Sequence, residues 1–344
     1  MTAAGTTSKM EMEALQSVAV AERQLQHTGV IEVARAIRDM SPRLVITSAR
    51  GSSDHAATYA KFLVETETGT PTASHSPSIS SIYGIKWRKL DRALFLAISQ
   101  SGRSPDLIAS ARAARAAGAL VVALVNDASS PLADASCMSL PILAGPEESV
   151  AATKSYIGTL LAVARLLAEW SDSDPLRDAL VSAPELLRRA WNLDWRAGAD
   201  ALCGSRNMFV IGRGSTFGTA QEAALKLKET CGIHAEPFSA AEVRHGPMAI
   251  IGKGFPVLVF VPADAARASV AALAAELIDR GARVLAAGLV VEGAINLPTL
   301  QDEHAALAPI AFIMSFYRMA AALSTFRGLD PDAPPYLRKV TETR

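Results

Sequence analysis

Apolar and polar residues follow one another along this chain in blocks that predict strands and helices in turn. Continuous apolar runs, typical of buried strands, occupy residues 93–98 and 119–125, and 43–49 is a further predicted strand. Helices are predicted after the strands at 43–49 and 93–98. The pattern restarts with a predicted strand at 206–211. Strands that alternate with helices predict parallel βαβ units, and therefore a doubly wound α/β fold.

Polar segments suggest where this pattern divides into domains. Apolar positions at helical spacing over 10–26 predict a leading amphipathic helix, and the short polar segment 171–175, which ends in proline, is the best candidate for a domain break. The predicted organisation is a leading helix over 1–27, two α/β domains over 28–172 and 173–330, and a C-terminal tail over 331–344.

The two predicted domains resemble each other at a constant spacing. Arg50-Gly-Ser-Ser53 matches Arg213-Gly-Ser-Thr216 at an offset of 213 − 50 = 163, and Gly118-Ala-Leu-Val121 matches Gly281-Ala-Arg-Val284 at the same offset. Several matches at one offset indicate two homologous halves.

A hydroxyl-rich turn follows the apolar run 93–98 and is the main candidate for chemistry in the first half. It carries Ser99, Gln100, Ser101 and Ser104, and Pro105 then suits the first position of a helix. Hydroxyls and free backbone N–H groups at a helix start form a site for phosphate, although an ordinary capped turn would have the same residues.

The second half departs from the first at this turn. The residues opposite Ser99-Gln-Ser101 are Pro262-Ala-Asp264, and the carboxylate of Asp264 would repel a phosphate. We therefore expect one ligand site in each chain, with its oxyanion turn in the first half.

Composition excludes several classes of partner. The 344 residues include 34 Lys and Arg and 34 Asp and Glu, so that no net charge favours nucleic acid or an anionic membrane. No apolar run approaches membrane-spanning length, and the first residues lack the apolar core of a signal peptide. The chain is expected to be cytoplasmic.

Cysteine and glycine patterns argue against a metal and a dinucleotide. Cys137, Cys203 and Cys231 are scattered without ligand spacing, so that we expect buried thiols in a reducing compartment and no metal site. Gly212-Arg-Gly-Ser-Thr-Phe-Gly218 is one residue too long for a dinucleotide fingerprint and predicts a tight turn between a strand and a helix instead. We expect no cofactor.

A charged helix face and two nearby histidines are the candidates for acid–base chemistry. Glu222, Lys226 and Glu229 share one face of a predicted helix, either as a solvated ladder of charges or as part of a site. His234 follows soon after them, and His245 lies in a His-Gly-Pro turn, where an exposed imidazole is suited to acid–base work.

Together these segments resemble the tandem sugar isomerase (SIS) family, and in particular the isomerase half of the glucosamine-6-phosphate synthases. The matching segments are 50–53, 99–102, 144–147, 150–154, 222–229, 234–236, 245–247 and 335–341. The resemblance covers nearly the whole chain and implies two homologous, flavodoxin-like α-β-α sandwiches.

The resemblance also implies roles for individual residues. Glu229 would be the base that moves a proton between C1 and C2. Lys339 would touch the open-chain carbonyl end of the sugar, as part of a tail that closes over the active site. His245 would assist ring opening in the neighbouring subunit of a homodimer. The residues that would bind the sugar phosphate are Ser52, Ser53, Ser99, Gln100, Ser101, Ser104, Val150, Ala152 and Lys226.

Departures from the synthases favour a different reaction direction. The synthases carry a glutaminase whose mature chain starts with a cysteine, whereas the first cysteine here is Cys137, so that we expect no ammonia from glutamine. Arg103 stands where the synthases have an acidic residue, and Arg338 replaces a small residue.

The sequence Ser-Gly-Arg-Ser-Pro-Asp and the Lys-Val-Thr tail resemble stand-alone SIS-type glucosamine-6-phosphate deaminases. The expected reaction therefore converts glucosamine 6-phosphate to fructose 6-phosphate and ammonia. A fructosamine-6-phosphate deglycase, another phosphosugar isomerase and a non-catalytic sugar-phosphate sensor are the alternatives.

Overall fold

The computed structural model describes residues 7–301, 303–337 and 339. These residues form two parallel five-stranded sheets flanked by helices, which confirms the predicted α/β class with two sandwich domains. The helices are α1 (Lys9–Leu15), α2 (Ser17–Gln26), α3 (Gly29–Met40), α4 (Ser52–Thr68), α5 (Ser78–Ser81), α6 (Pro105–Ala116), α7 (Pro131–Ala135), α8 (Lys154–Trp170), α9 (Asp174–Val181), α10 (Ala183–Trp191), α11 (Arg196–Leu202), α12 (Phe217–Cys231), α13 (Arg267–Asp279) and α14 (Ala308–Phe326).

The two sheets have the same topology. The first contains β1 (Leu44–Ser48), β2 (Thr72–Ser74), β3 (Ala93–Ser99), β4 (Leu120–Val125) and β5 (Met138–Pro141). Its order is β2-β1-β3-β4-β5. The second contains β6 (Asn207–Gly212), β7 (His234–Ser239), β8 (Pro256–Phe260), β9 (Arg283–Ala287) and β10 (Ile295–Leu297). Read from β7, its order is β7-β6-β8-β9-β10, which repeats the first and supports the two homologous halves.

The described residues pack into two compact units that are discontinuous in sequence. The N-terminal unit lies within residues 19–146 and 155–182, and the C-terminal unit lies within 1–18, 147–154 and 183–339. Helix α1 and the segment 147–154 thus pack with the second half. The domain bounds expected from the sequence remain a prediction.

The core of the N-terminal unit is built on β3. All seven residues of this strand are buried, because helices cover both faces of a parallel sheet. Phe95 packs there with alanines and valines of β4 and α6, and Ile46 of β1 joins the same cluster.

The core of the C-terminal unit combines β8 with α14. All five residues of β8 are buried, and the rings of Phe260 and Phe312 stack with centroids 6.0 Å apart. By length and composition α14 could cross a membrane, yet 78% of its apolar window is buried inside the protein. The helix also carries the buried polar residues Ser315 and Ser324, each bonded to a backbone carbonyl, so that α14 serves as a core helix of this unit.

Two sequence expectations differ from the structure. The predicted continuous helix over 10–26 is broken at Gln16, whose side-chain oxygen accepts a hydrogen bond from Lys154 Nζ at 2.6 Å. The cysteines were expected to be buried, but only Cys231 is buried, while Cys137 is exposed and Cys203 is intermediate. Cys137 directly precedes the edge strand β5, where the neighbouring residues do not cover it.

Candidate active site

The predicted phosphate-binding residues of the N-terminal unit lie after β1 and β3, which are paired in register as parallel neighbours. The strand order reverses between these two strands, and ligands of doubly wound folds bind at this point. Ser52 and Ser53 open α4 after β1, Ser99 is the last residue of β3, and Ser104 is the N-cap of α6.

Backbone N–H groups and hydroxyls face each other within the turn after β3. The N–H of Gly102 donates to Ser99 Oγ at 3.0 Å, and the N–H of Arg103 donates to Ser101 Oγ at 3.3 Å. Ser104 occupies the predicted N-cap, but its hydroxyl makes no capping hydrogen bond. Gln100 remains partly exposed beside it. The turn therefore presents hydroxyls and a helix start, the chemistry that binds oxyanions.

Two arginines near the turn are paired with carboxylates. Arg50 donates twice to Asp106 Oδ2, at 3.0 and 2.8 Å, and thereby ties the end of β1 to the start of α6. Arg103 pairs with Asp127 at 2.9 Å. The extra cation that the sequence placed beside the turn is thus already neutralised by its neighbour.

The equivalent turn of the C-terminal unit uses its hydroxyls internally. Ser215 Oγ donates to Asp264 Oδ2 at 3.1 Å, and Thr216 Oγ1 donates to the carbonyl of Phe260 at 3.1 Å. A Cβ on Gly212 would lie 2.5 Å from the carbonyl oxygen of Thr216, so that this glycine serves the tight turn that the sequence suggested.

Helix α12 carries a buried row of alternating charges. Lys226 Nζ lies 2.5 Å from Glu229 Oε2 and 3.4 Å from Glu222 Oε1, and Tyr317 of α14 donates to Glu222 at 3.1 Å. The side chains of Lys226 and Glu222 are 1% and 0% exposed, whereas Glu229 is 20% exposed. The solvated charge ladder is therefore wrong, and Glu229 is the member of the row that solvent or a ligand can reach.

The buried carboxylates keep Lys226 charged. Burial lowers the pKa of this lysine, but the negative charges of Glu222 and Glu229, with a smaller contribution from Glu147, outweigh burial and raise the pKa above its ordinary value. Glu229 thus has a permanent cation at hydrogen-bond distance.

Lys339, the predicted tail lysine, contacts the loop that follows β5. Lys339 Nζ is 3.0 Å from Glu147 Oε2 and donates to the carbonyl of Ser149 at 2.7 Å. The predicted sugar-lining residues Val150 and Ala152 lie in the same loop and are partly exposed. The C-terminal unit thus brings Lys339 against the loop that carries Val150 and Ala152.

The two candidate histidines, His234 and His245, are exposed. His234 begins β7, and His245 follows a short 3-10 turn over Glu242–Arg244. Among the described residues the imidazole of His245 has no hydrogen-bond partner, and Gly246 beside it has a φ of 131°. This places His245 on an accessible loop.

Two contributors to this site could not be predicted from the local sequence. Glu147 lies in a segment of the family resemblance, but only the structure shows that it is the buried partner of a lysine. Tyr317 lies in an apolar helix 95 residues from Glu222, and nothing in its local sequence signals that contact. Within the described residues no cluster of three or more metal-ligating side chains occurs.

Comparison with known proteins places the chain in a family. The SIS domain family matches residues 41–168 and 201–323. Glutamine–fructose-6-phosphate aminotransferase [isomerizing] of Thermococcus kodakarensis is 34% identical over 316 residues, which is 86% of this chain and 51% of that enzyme. The chain spans about half the length of the curated relatives it matches.

Solved structures share this fold, and one of them supports the same assignment. A Silicibacter pomeroyi DSS-3 protein, assigned by name to the phosphosugar isomerases, is 45% identical with a TM-score of 0.91, covering 95% of this chain and 100% of its own. Glucosamine-6-phosphate deaminase of Thermotoga maritima shares the fold, with a TM-score of 0.76 at 22% identity, covering 98% of this chain and 100% of its own.

The fold and the family match thus define a tandem sugar-isomerase protein. The chain belongs to the SIS-domain family, in the phosphosugar isomerase group that includes the isomerase domain of the aminotransferases.

Proposed function

We propose that this protein is an aminosugar-phosphate deaminase and isomerase that converts glucosamine 6-phosphate and water to fructose 6-phosphate and ammonia. The observation that carries the proposal is the contact between partly exposed Glu229 and fully buried Lys226. A carboxylate fixed in this way is suited to moving a proton next to a carbonyl. The aminotransferase relatives are named for fructose 6-phosphate, which supports this substrate class.

The phosphate and the reacting carbons of the sugar are bound by different groups in this proposal. The phosphate accepts hydrogen bonds from Ser52 and from the hydroxyls and N–H groups of the turn over 99–104, with Ser53 at the same helix start. This assignment is supported by the position of the starts of α4 and α6, which follow the two strands between which the strand order reverses.

Glu229 carries out the proton transfer. After ring opening, C1 is an aldehyde and C2 bears the amino group and a hydrogen. The carboxylate of Glu229 takes the C2 proton, which leaves an enolate with its charge on O1, and returns the proton to C1. Through solvent, O1 gains the proton that the C2 nitrogen loses, and this produces a C2 imine with a hydroxyl at C1. Water then adds to C2 and ammonia leaves, giving fructose 6-phosphate.

The two lysines stabilise charge during this transfer. Lys339, as an ammonium, lies beside the carbonyl oxygen at C1 and stabilises the negative charge that develops there. Lys226 holds the carboxylate of Glu229 in place and remains protonated throughout. Val150 and Ala152 line the sugar chain.

His245 assists ring opening from the neighbouring subunit, and the functional form is a homodimer in the cytoplasm. The exposed position of His245 supports a role toward a second chain. The three free cysteines support a reducing compartment. A purely ligand-binding sensor would not require Glu229, His245 and Lys339, and all three are present.

The test follows ammonia and fructose 6-phosphate together after glucosamine 6-phosphate is added to purified protein. We expect the two products in equal amounts, and a loss of about two to four orders of magnitude in kcat for Glu229→Gln. Glu292→Gln, an exposed carboxylate remote in sequence from the charged row, is the matched control and should retain its rate.

Other outcomes would overturn the proposal in distinguishable ways. Tight binding of the sugar phosphate without turnover would identify a sensor, and product from a fructosamine 6-phosphate alone would identify a deglycase. Exchange of solvent deuterium into fructose 6-phosphate without release of ammonia would identify a simple isomerase. Near-normal turnover by folded Glu229→Gln would contradict the assigned base.

A further inference from the structure

Two acceptors in the loop over 147–153 hold the ammonium group of Lys339. Its Nζ lies 3.0 Å from Glu147 Oε2 and 2.7 Å from the carbonyl oxygen of Ser149. The side chain of Glu147 is 0% exposed and that of Lys339 is 26% exposed. A buried carboxylate is costly unless it faces a cation, so that Glu147 draws the end of a long, flexible side chain to one position.

Glu147 is itself fixed by the loop it belongs to. Its second carboxylate oxygen, Oε1, accepts a hydrogen bond from the N–H of Thr153 at 3.0 Å. One oxygen therefore closes the loop over 147–153 and the other receives the lysine. A shift of this loop would move the acceptor of Lys339 with it.

Helix α1 holds the same loop from its other side. The carboxylate of Glu13 accepts hydrogen bonds from the N–H groups of Glu148 at 2.5 Å and Ser149 at 3.0 Å. Ser149 thus has its N–H on Glu13 and its carbonyl on Lys339. Buried Lys154, 3.8 Å from Glu13, balances the charge of this carboxylate.

The segment that leads into the tail is attached to α1 as well. Asp332 accepts hydrogen bonds from the first two N–H groups of the helix, those of Lys9 at 2.7 Å and Met10 at 2.8 Å. A carboxylate at this end of a helix satisfies N–H groups that have no partner within the helix. Helix α1 therefore contacts both the loop that receives Lys339 and the segment seven residues before it.

We infer that Glu147 and, behind it, Glu13 are positioning residues for Lys339, so that one side chain of α1 acts on a lysine more than 300 residues further along the chain. The inference rests on the role of Lys339 in the proposed function. Glu147 acts by direct contact with the ammonium, and Glu13 acts by holding the peptide of Ser149.

The kinetic test is a double-mutant cycle with Lys339→Met. Glu147→Gln should lower kcat about tenfold to a hundredfold with little change in KM, because a hydrogen bond to a charged group is lost while the substrate contacts remain. In the Lys339→Met background the same substitution should lower kcat less than twofold. If the double variant instead loses kcat by the product of the two single losses, the inference is overturned.

Matched controls separate positioning from general damage. Glu148→Gln makes the same change at the next residue, whose exposed side chain pairs with Lys9, and should stay within twofold of the unsubstituted protein. Glu13→Gln should lower kcat less than Glu147→Gln does, whereas Glu11→Gln on the same helix should not lower it. Equal effects of Glu13→Gln and Glu11→Gln would show that only helix stability is involved.

A chemical readout tests the contact without relying on turnover. Acetic anhydride should acetylate Lys339 about tenfold faster in Glu147→Gln than in the unsubstituted protein at pH 8, because the buried carboxylate no longer holds the amine against the loop and the reagent reaches it more easily. Peptide mass spectrometry measures the rate at this position, and Glu13→Gln supplies the same readout if Glu147→Gln does not fold.

The two arms separate failure of this inference from failure of the proposed function. Faster acetylation in a protein that turns over no sugar phosphate would preserve the contact and reject the proposed function. Unchanged acetylation in a protein that does turn over glucosamine 6-phosphate would reject the positioning role alone.

Discussion

At the scale of single residues, buried charges of the C-terminal unit are matched to partners of opposite sign. Lys226 lies between Glu222 and Glu229, and Lys154 lies near Glu13. Removing one member of a buried pair leaves an uncompensated charge and costs about 3–5 kcal/mol. Substitutions in this unit must therefore preserve charge pairs as well as volume.

The spacing of the charged residues along α12 predicted part of this arrangement. The rest depends on contacts between residues that are far apart in the sequence. Charges at intervals of four and three residues had to share a helix face, whatever the tertiary structure. Whether that face was buried could not be read from the spacing. The partner Glu147 lies 192 residues from Lys339, and its role required a folded chain.

Gly102, in the turn over 99–104, is predicted to tolerate no side chain. Its φ is 62°, and an added Cβ would lie 2.2 Å from Ser130 Oγ. Gly102→Ala should lower the free energy of unfolding by about 1–2 kcal/mol for the left-handed backbone. Overpacking against buried Ser130 should add about 1–3 kcal/mol.

Gly69→Ala is the matched control for this prediction. Gly69 has a φ of 67° at the C-terminal end of α4, and an added Cβ there would meet nothing within 4 Å. Urea denaturation of both variants should show the larger loss for Gly102→Ala. Equal losses would mean that the contact with Ser130 relaxes without cost.

At the scale of elements, strands were easier to predict than interruptions of helices. The apolar run at 93–98 had to be a buried strand, and the structure extends it by one residue to Ser99. The break at Gln16 was not predictable, because its side chain bonds to Lys154, which lies 138 residues further along the chain.

The segment after β2 carries a pH-dependent contact. His75 packs against the rings of Trp87 and Phe95, with centroids 4.8 and 6.0 Å away, and burial lowers its pKa below the ordinary value of 6.5. A folded-state pKa below the unfolded one gives stability that is complete above pH 6.5 and is lost as the pH falls through the folded pKa.

His75→Phe should therefore reduce the loss of stability on acidification. Comparing urea midpoints at pH 8 and pH 5, we expect a smaller difference for the variant than for the unsubstituted protein. His234→Gln, at an exposed strand start, is the control and should leave the difference unchanged. An unaltered difference in His75→Phe would show that His75 is not the titrating group.

At the scale of the whole molecule, the duplication was predictable and the composition of the compact units was not. Matches at a single offset reflect common ancestry of the halves, and the repeated strand order agrees with them. The packing of residues 147–154 with the second half depends on side-chain contacts such as Glu147 with Lys339, which no local pattern encodes.

The proposed homodimer gives a prediction for mixed chains. If His245 completes the site of a neighbouring subunit, then Glu229→Gln and His245→Ala chains, each inactive alone, should regain activity in heterodimers that contain one unaltered site. Activity is measured as ammonia release after co-expression with different affinity tags. Heterodimers that form and remain inactive would indicate that each site uses a single chain.

The attachment of α1 also bears on how the protein is made. Residues 9–15 leave the ribosome more than 300 residues before Asp332, which accepts hydrogen bonds from the first two N–H groups of their helix. During translation α1 is therefore without its contact to Asp332 while the sheet of the N-terminal unit can already assemble. A polypeptide that stalls before position 332 leaves the N–H groups of Lys9 and Met10 without this acceptor, so that α1 keeps only its own cap from Ser8 and Glu11 and is open to chaperones or proteases.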